Sequence, residues 1–89
     1  MPVTVRYGGI YEAVGQAVDL SARGMFFTVQ DRIDPGSPVE IVFRLPRTVA
    51  RNAGVWLRCK AKVVRLEMRA EGKFGVAAHI VAHEIFRVP

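Results

Sequence analysis

The segment from Asp19 to Gly24 contains the residues best suited to chemistry in this 89-residue sequence. It reads DLSARG, so a carboxylate, a hydroxyl and a guanidinium lie within five positions. A carboxylate accepts paired N–H donors from the edge of a planar base, and a neighbouring hydroxyl donates or accepts. Asp19 and Ser21 are two positions apart, which predicts a shared face in extended backbone. Gly24 leaves room for close approach and permits an unusual φ. An ordinary turn with local side-chain caps uses the same residue types, so both interpretations stand here.

A second group is basic and lies on one predicted strand. Trp56, Arg58, Lys60 and Lys62 alternate with apolar residues, which predicts one basic face with an aromatic residue at its end. Barrels that bind single-stranded nucleic acids stack bases on aromatic rings and place phosphates on cations. One aromatic residue is few for such a platform. A solvated strand face is therefore favoured, and nucleic acid is not the expected partner.

The remaining candidates predict neither catalysis nor a metal site. Cys59 falls on the apolar side of its strand, as a small core residue does. His79 is predicted at the surface, and strand geometry places His83 about 13 Å from it, too far to share a metal ion. No nucleophile elbow or oxyanion loop is present. The sequence predicts a protein that is not an enzyme and has no cofactor.

Alternation of apolar and polar residues with period two predicts an all-β protein. Adjacent Val63 and Val64 predict a bulge. The tail at 82–89 is expected to add a helical turn or to pack along the barrel, and 46–54 to form a basic loop. Closure of the sheet would remove exposed edges, so we predict one domain over 1–89, a six-stranded antiparallel β-barrel. The predicted strands are 3–7, 10–18, 25–29, 39–45, 55–63 and 74–80.

Composition limits the class of protein further. With 51% hydrophobic residues the chain is not disordered, and its single cysteine forms no internal disulfide. No apolar run approaches the roughly 20 residues of a membrane span, and the first residues lack the apolar centre of a signal peptide. These features predict a cytoplasmic domain without a membrane span. The net charge is +5 and ten of the thirteen basic residues are arginine, a side chain that suits phosphate and flat rings.

The order of these motifs resembles the PilZ domain family over residues 2–82. The pattern Asp-x-Ser-x-x-Gly opens the strand MFFTV and is followed by a Pro-Gly turn, VEIVFRLP, VVRLE and GKFGVAAHI. PilZ domains are six-stranded barrels, and many bind the bacterial second messenger cyclic di-GMP. The resemblance implies a ligand site in which Asp19 and Ser21 read guanine and Gly24 shapes the turn. Arg23 would help with phosphate, and Arg6 would partly replace the family's missing arginines.

The sequence departs from the family in one motif. An R-x-x-x-R segment ahead of the first strand grips phosphates in PilZ domains, but Arg6 is the only arginine before Asp19, and Ile10 stands four positions after it. If a longer protein carries that segment ahead of Met1, the resemblance implies a cyclic di-GMP receptor of which this piece binds weakly. If it does not, the resemblance implies a module that works through contacts with a protein partner or other domains. An OB-like single-strand binder is the third alternative.

Overall fold

Six antiparallel strands form a closed barrel in the computed structural model, which describes residues 1–45 and 54–87. The order around the barrel is β1-β2-β3-β6-β5-β4. A single 3₁₀ turn, Ala70–Gly72, is the only helical element in the described ranges. The predicted all-β six-stranded antiparallel barrel is confirmed. The predicted loop at 46–54 lies outside the described residues, except for Gly54. The strands are β1 (Pro2–Tyr7), β2 (Tyr11–Leu20), β3 (Gly24–Val29), β4 (Pro38–Arg44), β5 (Val55–Met68) and β6 (Phe74–Arg87).

The barrel interior is filled by apolar side chains that alternate along each strand. Phe27, Phe43 and Ile33 are at most 1% exposed and provide the bulk of the core. Cys59 is buried among them, as predicted. Burial raises the pKa of its thiol, because the thiolate would lose its hydration. Each large apolar side chain removed from water contributes about 1.5–3 kcal/mol, so this small core stabilises the fold without disulfides. The other buried members are Val3, Val5, Ala13, Met25, Val29, Val39, Ile41, Ala61, Val63, Val76 and Ala78.

Three β-bulges interrupt the alternation, and the extra residue in each is an exposed valine. Val18 in β2, Val64 in β5 and Val81 in β6 have no partner in the register where the pairing shifts. Their side chains are 61%, 58% and 70% exposed, respectively. An inserted residue reverses which side chains face the core beyond it. The bulge predicted at Val63–Val64 is confirmed, whereas those at Val18 and Val81 were not foreseen.

The last two strands are longer than the sequence pattern predicts. β5 continues past Val63 to Met68, and β6 continues past Ile80 to Arg87. Of the two expectations for the tail, the helical turn is wrong for residues 82–87, and packing along the barrel is what the structure shows. The tail stays extended because it pairs with the first half of β5, where Ala82 lies opposite Lys60 and Phe86 opposite Trp56. Backbone pairing thus overrides the weak apolar alternation in this segment.

Gly15 marks a close approach of β2 to β3. A Cβ atom built at Gly15 would lie 2.6 Å from the Thr28 carbonyl oxygen and 2.6 Å from Cγ1 of Val29. The valine side chain can rotate, but the carbonyl belongs to a paired strand and cannot move alone. The glycine therefore serves packing between backbones.

We expect Gly15→Ala to lower the free energy of unfolding by about 1–3 kcal/mol, because the added methyl forces the two strands apart. Urea denaturation would measure the change. Val14→Ala is the matched control: Val14 is 72% exposed, and its truncation should change stability by less than about 0.5 kcal/mol. Equal midpoints for Gly15→Ala and the wild type would contradict the assigned role.

The end of β1 is tied to the segment after β3 by one side-chain hydrogen bond. The hydroxyl of half-buried Tyr7 donates to a carboxylate oxygen of Asp31. This hydrogen bond raises the pKa of Tyr7, and burial and the negative charge of Asp31 raise it further. The protonated phenol is thus favoured in the folded state. Its contribution to stability is present below the unfolded pKa of about 10 and is lost as pH rises through the folded pKa.

In a Tyr11→Phe background, the tyrosinate absorbance of the folded protein should report Tyr7 alone. We expect that absorbance to appear at higher pH than in the unfolded chain. Adding Asp31→Ala removes the acceptor and its charge, so the transition should move down toward the ordinary value of about 10. An unchanged titration after Asp31→Ala would show that the hydrogen bond does not set this pKa.

Candidate functional site

The bulge at Val18 determines where Asp19 points. Ala17 lies opposite buried Phe27 and faces inward, so an uninterrupted strand would also turn Asp19 inward. The inserted residue reverses the phase, and Asp19 lies opposite outward-facing Phe26 instead. The carboxylate is consequently exposed on the outer wall of the barrel. Placing a carboxylate there avoids the large cost of burying an unpaired charge.

The turn that follows Asp19 is narrow and is fixed to β6. The Ser21 N–H donates to the Gly24 carbonyl at 2.9 Å, and the Ile80 N–H donates to the Arg23 carbonyl at 2.8 Å. The Ser21 hydroxyl reaches the Gly24 carbonyl only at 3.4 Å, a long hydrogen bond. The side chains of Ser21 and Arg23 are exposed. Backbone contacts therefore hold the turn and leave both side chains available to a ligand.

Gly24 has a spatial role, and the positive φ that its position suggests is not observed. A Cβ atom at Gly24 would lie 3.1 Å from the Ala78 carbonyl oxygen. The glycine thus lets the start of β3 approach β6 closely. His79 lies opposite Gly24 and is exposed, so the predicted surface histidine stands beside the turn.

Arg6 does not reach this turn. It lies opposite Glu12 near the far end of β2, and its Nε is 3.1 Å from a carboxylate oxygen of that residue. Glu12 and Asp19 are seven positions apart along β2, a path of roughly 20 Å. The structure therefore brings Asp19, Ser21, Arg23 and Gly24 together and leaves Arg6 apart.

The predicted basic face exists, but part of it is engaged within the protein. Arg58 Nη1 lies 2.7 Å from Glu84, and its Nε lies 3.6 Å from Glu40. Trp56 stacks on Phe86 with ring centroids 6.4 Å apart, an aromatic neighbour that the sequence pattern missed because the tail was not expected to be a strand. Binding of single-stranded nucleic acid to this face stays an untested alternative. The face comprises Trp56, Arg58, Lys60 and Lys62, all outside the apolar core.

Sequence reasoning missed an aromatic residue flanked by cations beside Asp19. Phe26 is half-buried, and the guanidinium carbons of Arg65 and Arg69 lie 5.9 Å and 5.0 Å from the centroid of its ring. A Cβ atom at Gly75 would lie 2.6 Å from the Phe26 ring, so the absence of a side chain there lets the ring lie on the sheet. The inward-facing neighbours Met25 and Phe27 could have revealed that Phe26 points outward.

The histidines do not form a metal site. His79 lies opposite Lys62, whereas His83 lies opposite buried Cys59, because the bulge at Val81 reverses the phase of β6 between them. Within residues 1–45 and 54–87 no three His, Cys, Asp or Glu side chains are placed to hold a metal ion.

In the comparison with family models, the PilZ domain model matches residues 1–85. The chain belongs to the PilZ domain family. PilZ is a family of cyclic di-GMP-binding modules, and its members are generally receptor or adaptor modules without catalysis. Comparison with curated proteins gives no significant match, and comparison with solved structures gives none either. Across the described ranges, no helix has the length and apolar character needed to cross a membrane.

The exposed side chains of this PilZ turn should contribute little to folding. We expect Asp19→Ala and Ser21→Ala to change the free energy of unfolding by less than about 0.5 kcal/mol, because backbone hydrogen bonds hold the turn. Thermal unfolding followed by circular dichroism would measure this. A loss of 2 kcal/mol or so, the size expected for a buried structural hydrogen bond, would assign these side chains to the fold instead.

Proposed function

We propose that this PilZ domain is a cyclic di-GMP receptor module that is not itself an enzyme and works in the bacterial cytoplasm. The observation that carries the proposal is the exposed Asp19 carboxylate beside a turn anchored to β6. The family's Asp-x-Ser-x-x-Gly pattern matches this turn residue by residue. Membership in a family that binds cyclic di-GMP supports the same conclusion.

The chemistry of the turn suits a guanine edge. Guanine offers two adjacent N–H donors, and an ionised carboxylate accepts such a pair with charge-assisted hydrogen bonds. In the proposal Asp19 accepts from this edge and the Ser21 hydroxyl completes the set of polar contacts. Arg23 lies at the same turn with its side chain exposed and supplies positive charge toward the phosphates. Since the turn is already fixed, binding costs little ordering of the backbone.

A module that binds only protein partners is the alternative within the same fold. It would use the barrel as a rigid platform and would not need the carboxylate of Asp19. The nine exposed large apolar side chains among the described residues supply material for such contacts. The two proposals differ in whether the turn recognises a nucleotide.

Titration calorimetry with cyclic di-GMP tests the proposal on the chain as it stands. We expect binding by the wild type and a loss of about 10-fold or more in affinity for Asp19→Ala and for Ser21→Ala, the effect of removing a hydrogen bond to a charged or polar partner. Cyclic di-AMP is the ligand control. It carries the same phosphates but lacks the paired donors, and should bind at least about 10-fold more weakly.

Glu12→Ala is the matched protein control. It removes a carboxylate from the same outer face of β2, where Glu12 pairs with Arg6 away from the turn. Its affinity for cyclic di-GMP should equal that of the wild type within about twofold. Equal weakening of binding by Glu12→Ala and Asp19→Ala would show that the loss of affinity reflects only the overall charge of the protein. Absence of binding by the folded wild type would favour the protein-interaction module.

A further inference from the structure

We propose that Arg65 and Arg69, held against Phe26, form the phosphate-binding half of the nucleotide site in this chain. The inference rests on the proposed function and assigns the anionic part of the same ligand. It adds two cations to Arg23 at the turn, since no R-x-x-x-R pair stands between Met1 and Asp19. The two arginines come from β5 and the residue just after it, far in sequence from the turn.

Two bulges bring the two halves of the site into one row. Asp19 lies opposite Phe26, Phe26 lies opposite Ala77, and Ala77 lies opposite Arg65. Val63 faces the core, so without the extra residue Val64 the side chain of Arg65 would point inward. The bulge at Val18 has the same effect on Asp19. Both charged groups therefore stand on the outer wall in one row of paired residues that runs across the strands.

The spacing suits a ligand with separated base and phosphate groups. Three inter-strand steps separate Asp19 from Arg65, about 14 Å between Cα atoms. The guanidinium of Arg65 bends back over this gap, since it lies 5.9 Å from the ring of Phe26 on β3. A base held by the carboxylate thus has its attached phosphate directed toward the cations.

Contact with the ring prepares both guanidinium groups for binding. Phe26 lies over Gly75 and provides a fixed apolar surface, and each guanidinium is attracted to the ring. Arginines restrained in this way lose less side-chain freedom when a ligand arrives. Their planar donor groups match the oxygen atoms of a phosphodiester.

The charge environment leaves Arg65 and Arg69 available to a phosphate. Arg6 and Arg32 each pair with a single neighbouring carboxylate, and Arg58 lies between two. Among the described residues, Arg65 forms no ion pair. Arg69 lies 3.1 Å from Glu67, but both side chains are more than 40% exposed, so the pair is weak and open to exchange with a phosphate.

Calorimetry with cyclic di-GMP on single and double variants tests the inference. We expect Arg65→Gln and Arg69→Gln each to weaken binding by about 10-fold, the effect of losing a charge-assisted hydrogen bond, and the double variant to weaken it further. Wild-type affinity should fall between about 0.01 M and 0.15 M salt as the Debye length shortens from about 30 to 8 Å. The double variant should have lost most of that salt dependence.

Arg32→Gln and Lys60→Gln are the matched controls. Each removes one exposed positive charge outside the row of Asp19 and should keep wild-type affinity within about twofold. Phe26→Leu removes the ring but keeps both charges, and should weaken binding less than the double variant does. Thermal unfolding of every variant establishes that each is folded.

The outcomes separate the two proposals. Loss of affinity in Arg65→Gln and Arg69→Gln, with retention in Arg32→Gln and Lys60→Gln, supports the inference. Loss in Asp19→Ala alone, with wild-type affinity and salt dependence in the double variant, overturns the inference and leaves the proposed function standing. Equal losses in all four arginine and lysine variants also overturn it, because only total charge would then matter. A folded wild type that does not bind overturns both.

Discussion

The pairing of β3 with β6 is the interaction on which both the fold and the candidate site depend. The chain forms two three-stranded meanders, β1-β2-β3 and β4-β5-β6, and two seams join them into a barrel. The β1–β4 seam has four residue pairs, whereas the β3–β6 seam has six, from Gly24 with His79 to Val29 with Phe74. Contacts so distant in sequence are entropically costly to form. The closed barrel therefore depends on how well this seam packs.

Every part of the site touches this seam. The Arg23 carbonyl accepts from Ile80 at its upper end, Gly24 fits against the Ala78 carbonyl, and the Phe26 ring lies over Gly75. Glycines on both strands, Gly24 on β3 and Gly75 on β6, make these approaches possible. Without the seam, the turn and the arginine-flanked ring would belong to separate halves of the chain. The same hydrogen-bonded strand pair thus closes the barrel and positions the residues of the candidate site.

The strand pattern could be predicted from the sequence because one face of each strand must be buried. Alternation along β4 and the first half of β5 gave the correct inward residues, including Cys59. The far end of β5 was missed because the bulge at Val64 interrupts the alternation, and the far end of β6 was missed because its residues show no clean alternation. Cross-strand pairing keeps both ends extended. Pairing between distant segments is not visible in local composition.

The turn residues of the site could be predicted from the sequence, but the residues that surround the turn in space could not. Asp19, Ser21 and Gly24 are close in sequence, so their motif identifies them together. Arg65 joins them through two register shifts and two strand pairs, and no local pattern encodes that path. Arg6 is closer to the motif in sequence, but the regular pairing of β1 with β2 places it opposite Glu12. Distance along the chain was therefore a poor guide to distance in space.

The three bulge positions should tolerate substitution far better than deletion. Their side chains face solvent, so many other residues could replace Val18, Val64 or Val81 at little cost. Their number, however, cannot change. Loss of one codon at Val64 would turn the rest of β5 over, sending Arg65 toward the core and Leu66 toward solvent. At these positions the number of residues, more than their identity, determines which of the following side chains face outward on the barrel wall.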